Sequence, residues 1–122
     1  MLATGEVVVT LLVRGLKGQA RVEAMVDTGF NEQLTLPMWV VERLGLEYQT
    51  QAIYRLADGA KSESRVFSAE IEWHGAWQNV AVIEMENDPL LGIGAMKGCS
   101  LYIEVADQGR VEIQPLETGD KN

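Results

Sequence analysis

The chain has 122 residues, 47% of them hydrophobic, which suits one domain with a single core and leaves too little length for two. Eighteen acidic against ten basic residues give a net charge of −8, which argues against a nucleic-acid backbone or an anionic membrane as the partner. The single cysteine, Cys99, cannot form an internal disulfide, and one cysteine with one histidine, His74, cannot build a structural zinc site, so we expect a reducing interior.

The first 26 residues predict a β-hairpin and carry no pattern of a secretion signal or a membrane span. Residues 1–6 lack the basic start of a secretion signal and residues 7–13 are too short to cross a bilayer, so we expect a cytoplasmic chain. Residues 7–13 are rich in β-branched side chains and precede a glycine-bracketed turn, which predicts a β-hairpin into residues 22–26. Only Glu23 interrupts that second strand, which predicts burial on most of both faces.

The second strand ends at Asp27, and Thr28 and Gly29 follow at once. A carboxylate at the end of a buried strand needs hydrogen-bond donors, which a close-folding glycine and a threonine hydroxyl can supply. An Asp-x-Gly sequence is also an ordinary turn signal after a strand. The tripeptide therefore predicts a held carboxylate, and the rest of the chain decides between a plain turn and a catalytic group.

A short strand and a helix follow. Residues 34–36 predict the strand, and Pro37 predicts the first position of a helix, where its missing N–H costs nothing. Apolar residues at helical spacing continue to position 44, and Gly45 predicts the helix end. We expect Trp39 to pack against the sheet.

The middle of the chain predicts two hairpins. Asp58-Gly59 is a two-residue hairpin signal beside a polar run, so the tip is either a plain solvated turn or a mobile flap. Apolar residues alternate over 67–73, which predicts a half-buried strand. His74 stands in the next turn with no second histidine or cysteine near it in the sequence, which disfavours a catalytic or metal role.

The last third contains a glycine-rich stretch and a final hairpin. Gly92, Gly94 and Gly98 fit neither the dinucleotide nor the P-loop spacing, so nucleotide binding is not expected. Alternation over residues 101–105 and apolar residues 111 and 113 predict the hairpin. The whole pattern predicts a mainly β, strongly curved sheet or small barrel with one or two short helices.

Asp27 is the best-held candidate for acid–base chemistry, since Cys99 has no histidine near it in the sequence and no serine stands in a nucleophile-elbow pattern. One carboxylate is half of a hydrolytic pair, because one group must accept a proton while another donates one. A two-fold axis beside Asp27 would supply the second copy. Two carboxyl groups about 3 Å apart cannot both ionise, so they share one proton.

Four motifs together resemble the retropepsin-like (clan AA) aspartic proteases, most closely the prokaryotic single-domain type. In chain order they are Val26-Asp27-Thr28-Gly29, Leu34-Thr35-Leu36-Pro37, Ala57-Asp58-Gly59 and Leu90-Leu91-Gly92. The resemblance covers roughly residues 6–114 and implies one domain over 1–122, with a frayed tail over 115–122. It also implies a closed or curved β-barrel that acts as a two-fold homodimer.

The resemblance implies a role for each motif. Asp27 would be catalytic, Thr28 would bond across the dimer interface beneath the aspartate pair, and Gly29 would line the cleft. Three residues would form a loop that braces the active-site turn: Leu90, Leu91 and Gly92. The substrate-binding residues would be Phe30 and the flap residues Ala57, Asp58 and Gly59.

Two positions depart from the better-known members of the family. Phe30 stands where they carry Ala or Ser, and its bulk would fill or narrow the cleft. Gly94 stands where relatives often place Asn or Asp at the start of a helix. The implied activity is an aspartic endopeptidase that acts on a peptide or protein without a metal or other cofactor. The alternatives are a non-catalytic module that binds an extended peptide in the same cleft, or a dimerisation scaffold.

Overall fold

A computed structural model of the chain describes residues 5–55 and 58–117. It contains one α-helix, α1 (Met38–Leu44), and one 3₁₀ turn (Ile93–Ala95) within those residues. The strands are β1 (Val8–Gly15), β2 (Gly18–Asp27), β3 (Leu34–Leu36), β4 (Glu47–Arg55), β5 (Lys61–Trp73), β6 (Ala76–Glu84), β7 (Leu90–Gly92), β8 (Cys99–Ile103) and β9 (Val111–Pro115). The predicted mainly β class is confirmed.

Six strands form a closed barrel in the order β1-β2-β7-β3-β6-β5, and β5 returns to pair with β1. At this seam Arg14 lies opposite Glu70, and their side chains form an ion pair of 2.9 Å. The Arg14 guanidinium also lies 3.8 Å from the centre of the Trp77 ring. The barrel is the predicted one, and β4 extends its sheet beyond β5.

The barrel interior holds the core. Alternation along β5 turns four apolar side chains inward, as predicted, and the fully buried side chains of β1, β3, β6 and β7 meet them there. The largest apolar side chains that are fully buried are Leu34, Leu36, Ile71, Leu91, Val13 and Val82. Strand β2 differs from its prediction: Val22 and Ala24 are buried, whereas Glu23 on the opposite face is exposed.

Helix α1 closes one end of the barrel. Its buried residues are Val40, Val41 and Leu44, and it ends at Gly45, whose φ of 66° is the left-handed conformation that favours glycine. The backbone N–H of Lys17 in the β1–β2 turn donates to the Leu44 carbonyl (2.9 Å). The turn therefore caps the carboxyl end of the helix.

Two predictions about this helix are wrong. Pro37 is the N-cap residue in extended conformation (ψ 160°), so the helix begins one residue later, at Met38. Trp39 is 64% exposed and does not pack against the sheet. The inward face of so short a helix is already filled by the three buried residues, and Trp39 lies on the other face.

Two hairpins form from the predicted strands, but the loops that join the strands are longer than predicted. Arg55 pairs with Lys61, so the loop between β4 and β5 spans residues 56–60 and is longer than the two-residue turn predicted at Asp58-Gly59. Strands β8 and β9 form the predicted final hairpin as a separate two-stranded sheet. Val105, predicted within it, lies beyond the end of β8 and is 80% exposed.

Within residues 5–55 and 58–117, no helix is both long enough and apolar enough to cross a membrane.

Candidate active site

Asp27 is the last residue of β2 and lies beside Gly92, its register partner on the parallel strand β7. The Asp27 side chain is half-buried. Because β2 lies between β1 and β7, both edges of the strand that carries the carboxylate are paired. Pairing with β7 reaches Asp27 itself, and pairing with β1 holds the strand up to Met25, two residues earlier.

The turn after Asp27 folds back on the carboxylate. The Gly29 N–H donates to Asp27 Oδ1 (3.0 Å), and the Phe30 N–H donates to the Asp27 carbonyl oxygen (3.1 Å). The predicted donation from a glycine two residues on is thus present. Among the described residues, Thr28 makes no side-chain hydrogen bond to Asp27, and its side chain is exposed. The glycine amide alone supplies the donor that was expected from both residues.

The end of β7 and the 3₁₀ turn lie against the loop that follows Asp27. Three consecutive N–H groups donate to carbonyl oxygens of that loop: Gly92 to Gln33 (2.9 Å), Ile93 to Phe30 (2.8 Å) and Gly94 to Glu32 (3.2 Å). These bonds join the residues after Asp27 to the 3₁₀ turn and the end of β7. The predicted motif around Gly92 therefore lies against the Asp27 loop.

Gly92 and Gly94 are required by this close approach. A Cβ on Gly92 would overlap the Glu32 carbonyl oxygen and lie 2.7 Å from the Phe30 ring. A Cβ on Gly94 would lie 2.5 Å from the Asn31 carbonyl oxygen. Gly94 stands in the middle of a 3₁₀ turn of three residues. Contact with the loop, rather than helix propensity, explains the glycine there.

Thr35 ties β3 to the first residue of the bracing motif. Its side chain is fully buried, and its Oγ1 accepts the Leu90 N–H at 2.9 Å. Leu90 is half-buried and Leu91 lies in the core. A buried N–H needs a partner, and here a side chain provides it. Sequence reasoning read Thr35 only as part of a strand and missed this contact, for which a single sequence offers no signal.

Phe30 is half-buried, and its ring packs over the backbone of Gly92. The ring therefore uses the space that a side chain at position 92 would need. Phe30 therefore packs between the turn after Asp27 and β7. This contact explains why a bulky side chain fits directly after Asp-Thr-Gly.

The tip of the β4–β5 hairpin is exposed at Asp58 and Gly59, and Ala57 lies outside the described residues. Asp58 Oδ1 accepts the Ala60 N–H (2.9 Å), and Gly59 has a φ of 88°. The predicted turn chemistry is therefore present. Closer to the barrel, Arg65 Nε donates to Glu84 Oε1 (2.9 Å), a bond that raises the pKa of the guanidinium and ties β5 to β6 below the tip.

His74 and Cys99 lie together, although neither has the other nearby in the sequence. His74 Nε2 is 3.5 Å from Cys99 Sγ, and the His74 ring packs at 4.9 Å against Trp73. The two residues are 25 positions apart in the sequence, and they meet because the β5–β6 turn reaches the start of β8. Within the described residues, no three His, Cys, Asp or Glu side chains are grouped to hold a metal ion.

A comparison with known protein families gives a match over the part of the chain that contains Asp27 and β7. The family model described as Aspartyl protease matches residues 9–95, which run from the second residue of β1 to the last residue of the 3₁₀ turn and include Asp27 and Gly92. A search of curated proteins and a search of solved structures each found no match. The match covers more than half of the chain, and the chain belongs to the retropepsin-like aspartyl protease family.

Proposed function

We propose that the protein is an aspartic endopeptidase in which two copies of Asp27, one from each protomer of a homodimer, activate water against a peptide bond. The observation that carries the proposal is the held carboxylate: Asp27 ends a doubly paired strand and accepts the Gly29 N–H at 3.0 Å. Family membership supports hydrolysis of peptides as the reaction class.

The reaction needs two carboxyl groups in different protonation states. The ionised Asp27 accepts a proton from water as the water oxygen attacks the peptide carbonyl carbon, and the protonated partner copy donates to the carbonyl oxygen. The tetrahedral diol then collapses: its C–N bond breaks, the leaving nitrogen takes the proton that Asp27 accepted from water, and one diol hydroxyl returns a proton to the partner copy of Asp27. Each chain contributes one Asp27, so the site is complete only at a two-fold axis.

The other site residues act by position. Thr28 bonds across the interface beneath the two carboxyl groups, which fits its exposure on the single chain. Gly29 lines the cleft, where the absence of a side chain lets the substrate approach Asp27. Leu90, Leu91 and Gly92 brace the turn, and the hydrogen bonds from β7 and the 3₁₀ turn to the loop support that role.

An extended peptide is the proposed substrate, covered by the hairpin at Asp58-Gly59 with Ala57 beside it. Both described tip residues, Asp58 and Gly59, are exposed, which suits a segment that covers a cleft. Phe30 borders the cleft at Gly92 and limits the size of side chain that fits beside it.

Replacing Asp27 by Asn tests the proposal. The amide oxygen still accepts the Gly29 N–H, so the fold is retained while the acid–base group is lost. We expect cleavage of a denatured protein to fall by at least about 10³-fold, consistent with the loss of a general acid or base. Asp107→Asn, in the exposed turn before β9, is the matched control and retains full activity. Cleavage by Asp27→Asn at the wild-type rate would refute the proposal.

A peptide-binding module on the same fold is the second candidate, and Phe30 is the observation that favours it. Its ring packs at Gly92, the register partner of Asp27. A protease is blocked by a statine-type transition-state mimic and works best at mildly acidic pH, when one carboxyl of the pair is protonated. A binding module or a dimerisation scaffold shows neither behaviour.

A further inference from the structure

An apolar groove lies between β2, the start of α1 and the loop that joins β6 to β7. Its volume is about 430 Å³, and its apolar walls include Pro37, Val40 and Pro89. Trp39 lies at the edge of the groove and is 64% exposed. Three other apolar residues of α1, Val40, Val41 and Leu44, are buried. An exposed tryptophan beside an apolar hollow is typical of an interaction surface.

The rim of the groove is acidic. Glu23, Glu86 and Asp88 line it together with one basic residue, Arg21. Glu86 is engaged, since its Oε2 accepts the Met38 N–H at 2.8 Å. Glu23 and Asp88 have no hydrogen-bond or ion-pair partner among the described residues, so their charges face an incoming molecule.

The acidic surface continues toward the active site. A neighbouring hollow of about 210 Å³ shares Glu23, Asp88 and Pro89 with the groove and adds Glu6 and Met25, without any basic residue. Alternate residues of a strand share a face, so Glu23 and Met25 lie on the same face of β2 as Asp27. The distance along the strand from Glu23 to Asp27 is about 13 Å.

We propose that this groove docks an extended protein segment that combines a bulky apolar side chain with basic side chains. The apolar side chain fills the hollow beside Val40 and Pro89. Basic side chains pair with Glu23 and Asp88, and one lies over the exposed face of Trp39. Charge complementarity selects this occupant, because an acidic segment would face unpaired carboxylates on the rim.

Docking is independent of cleavage. A segment in the groove runs along the face of β2 that leads to Asp27, so it can belong to a protein that the proposed protease cleaves. Binding itself needs no acid–base chemistry. The groove is therefore tested in the full-length Asp27→Asn protein, which also keeps the probe intact.

The probe is a fluorescein-labelled twelve-residue peptide of alternating arginine and leucine, measured by fluorescence anisotropy. Two further peptides replace arginine by glutamate or leucine by serine, and both bind more weakly. We expect Trp39→Ala to weaken binding of the first peptide about two- to fivefold, the equivalent of an exposed cation–π contact. The double variant Glu23→Gln with Asp88→Asn weakens it about two- to fivefold, as for exposed ion pairs.

Matched controls separate the groove from general attraction to an acidic protein. Leu16→Ala removes another exposed apolar side chain, and Glu47→Gln with Asp107→Asn removes the same two charges elsewhere. These controls bind like the parent, and Trp39→Phe retains most of the affinity. Amide chemical-shift changes on titration concentrate at the groove. Equal losses in controls and groove variants, or shift changes elsewhere, overturn the proposal.

Discussion

Asp27 and Gly92 face each other as register partners at the ends of two parallel strands, β2 and β7. The pairing places the Asp27 carboxylate beside a residue that has no side chain, Gly92. The next N–H groups after Gly92, those of Ile93 and Gly94, then bond the loop that follows Asp27. Any change that separates the two strands therefore moves the carboxylate.

Replacing Gly92 by Ala tests this contact. The added Cβ would overlap the Glu32 carbonyl oxygen and crowd the Phe30 ring, so the loop must move. We expect the free energy of unfolding to fall by about 1–3 kcal/mol, as for other overpacked sites. Gly29→Ala is the control, because its Cβ meets only Asp27 Oδ1, at 3.4 Å. Equal urea midpoints for the two variants would contradict the contact's importance.

Thr35 is expected to contribute through its hydroxyl. Thr35→Val keeps the shape of the side chain and leaves the Leu90 N–H without its acceptor. The expected loss of stability is about 1–3 kcal/mol, the cost of an unsatisfied buried donor. Thr35→Ser retains the oxygen and loses only a methyl group. Chemical denaturation should therefore rank valine below serine, and the reverse order would assign Thr35 to packing.

The Asp58 turn is expected to act on substrate binding more than on folding. Asp58→Ala removes the acceptor for the Ala60 N–H at an exposed tip. We expect KM to rise about two- to fivefold, the equivalent of a hydrogen bond of about 0.5–1 kcal/mol, with kcat little changed. Steady-state kinetics measure both constants. A fall in kcat at constant KM would place Asp58 outside flap closure.

Mixed dimers provide a test of the shared site. If each active site needs one Asp27 from each chain, a wild-type chain that pairs with an Asp27→Asn chain is inactive. Refolding the wild type with a ninefold excess of Asp27→Asn should lower activity per wild-type chain to about one tenth, the fraction that finds a wild-type partner. Asp107→Asn in the same excess is the control and adds activity. Unchanged activity per wild-type chain would mean that one chain holds a complete site.

Local patterns account for the parts of the fold that could be predicted. Alternation along residues 67–73 predicts the buried face of β5, because strand side chains point alternately to opposite faces. Gly45 predicts the end of α1, since few other residues adopt its left-handed conformation without strain. The Gly29 donation to Asp27 follows from the short span between the two residues.

Tertiary contacts account for what could not be predicted. The exposure of Trp39 depends on which face of α1 meets the barrel, and a seven-residue helix gives a weak pattern. The Thr35–Leu90 bond and the His74–Cys99 contact join residues far apart in the sequence. The need for glycine at position 92 depends likewise on the Glu32 backbone opposite it. Such contacts leave no local trace in a single sequence.

The most direct test of the shared aspartate pair is the distance between the two Asp27 carboxyl groups in a crystal of the full-length protein with a statine-type mimic. Two copies that share a proton lie about 3 Å apart, with the hydroxyl of the mimic between them. That result is the one expected here. An assembly that binds the mimic with the two carboxyl groups more than about 10 Å apart, beyond hydrogen-bond reach, would contradict the mechanism.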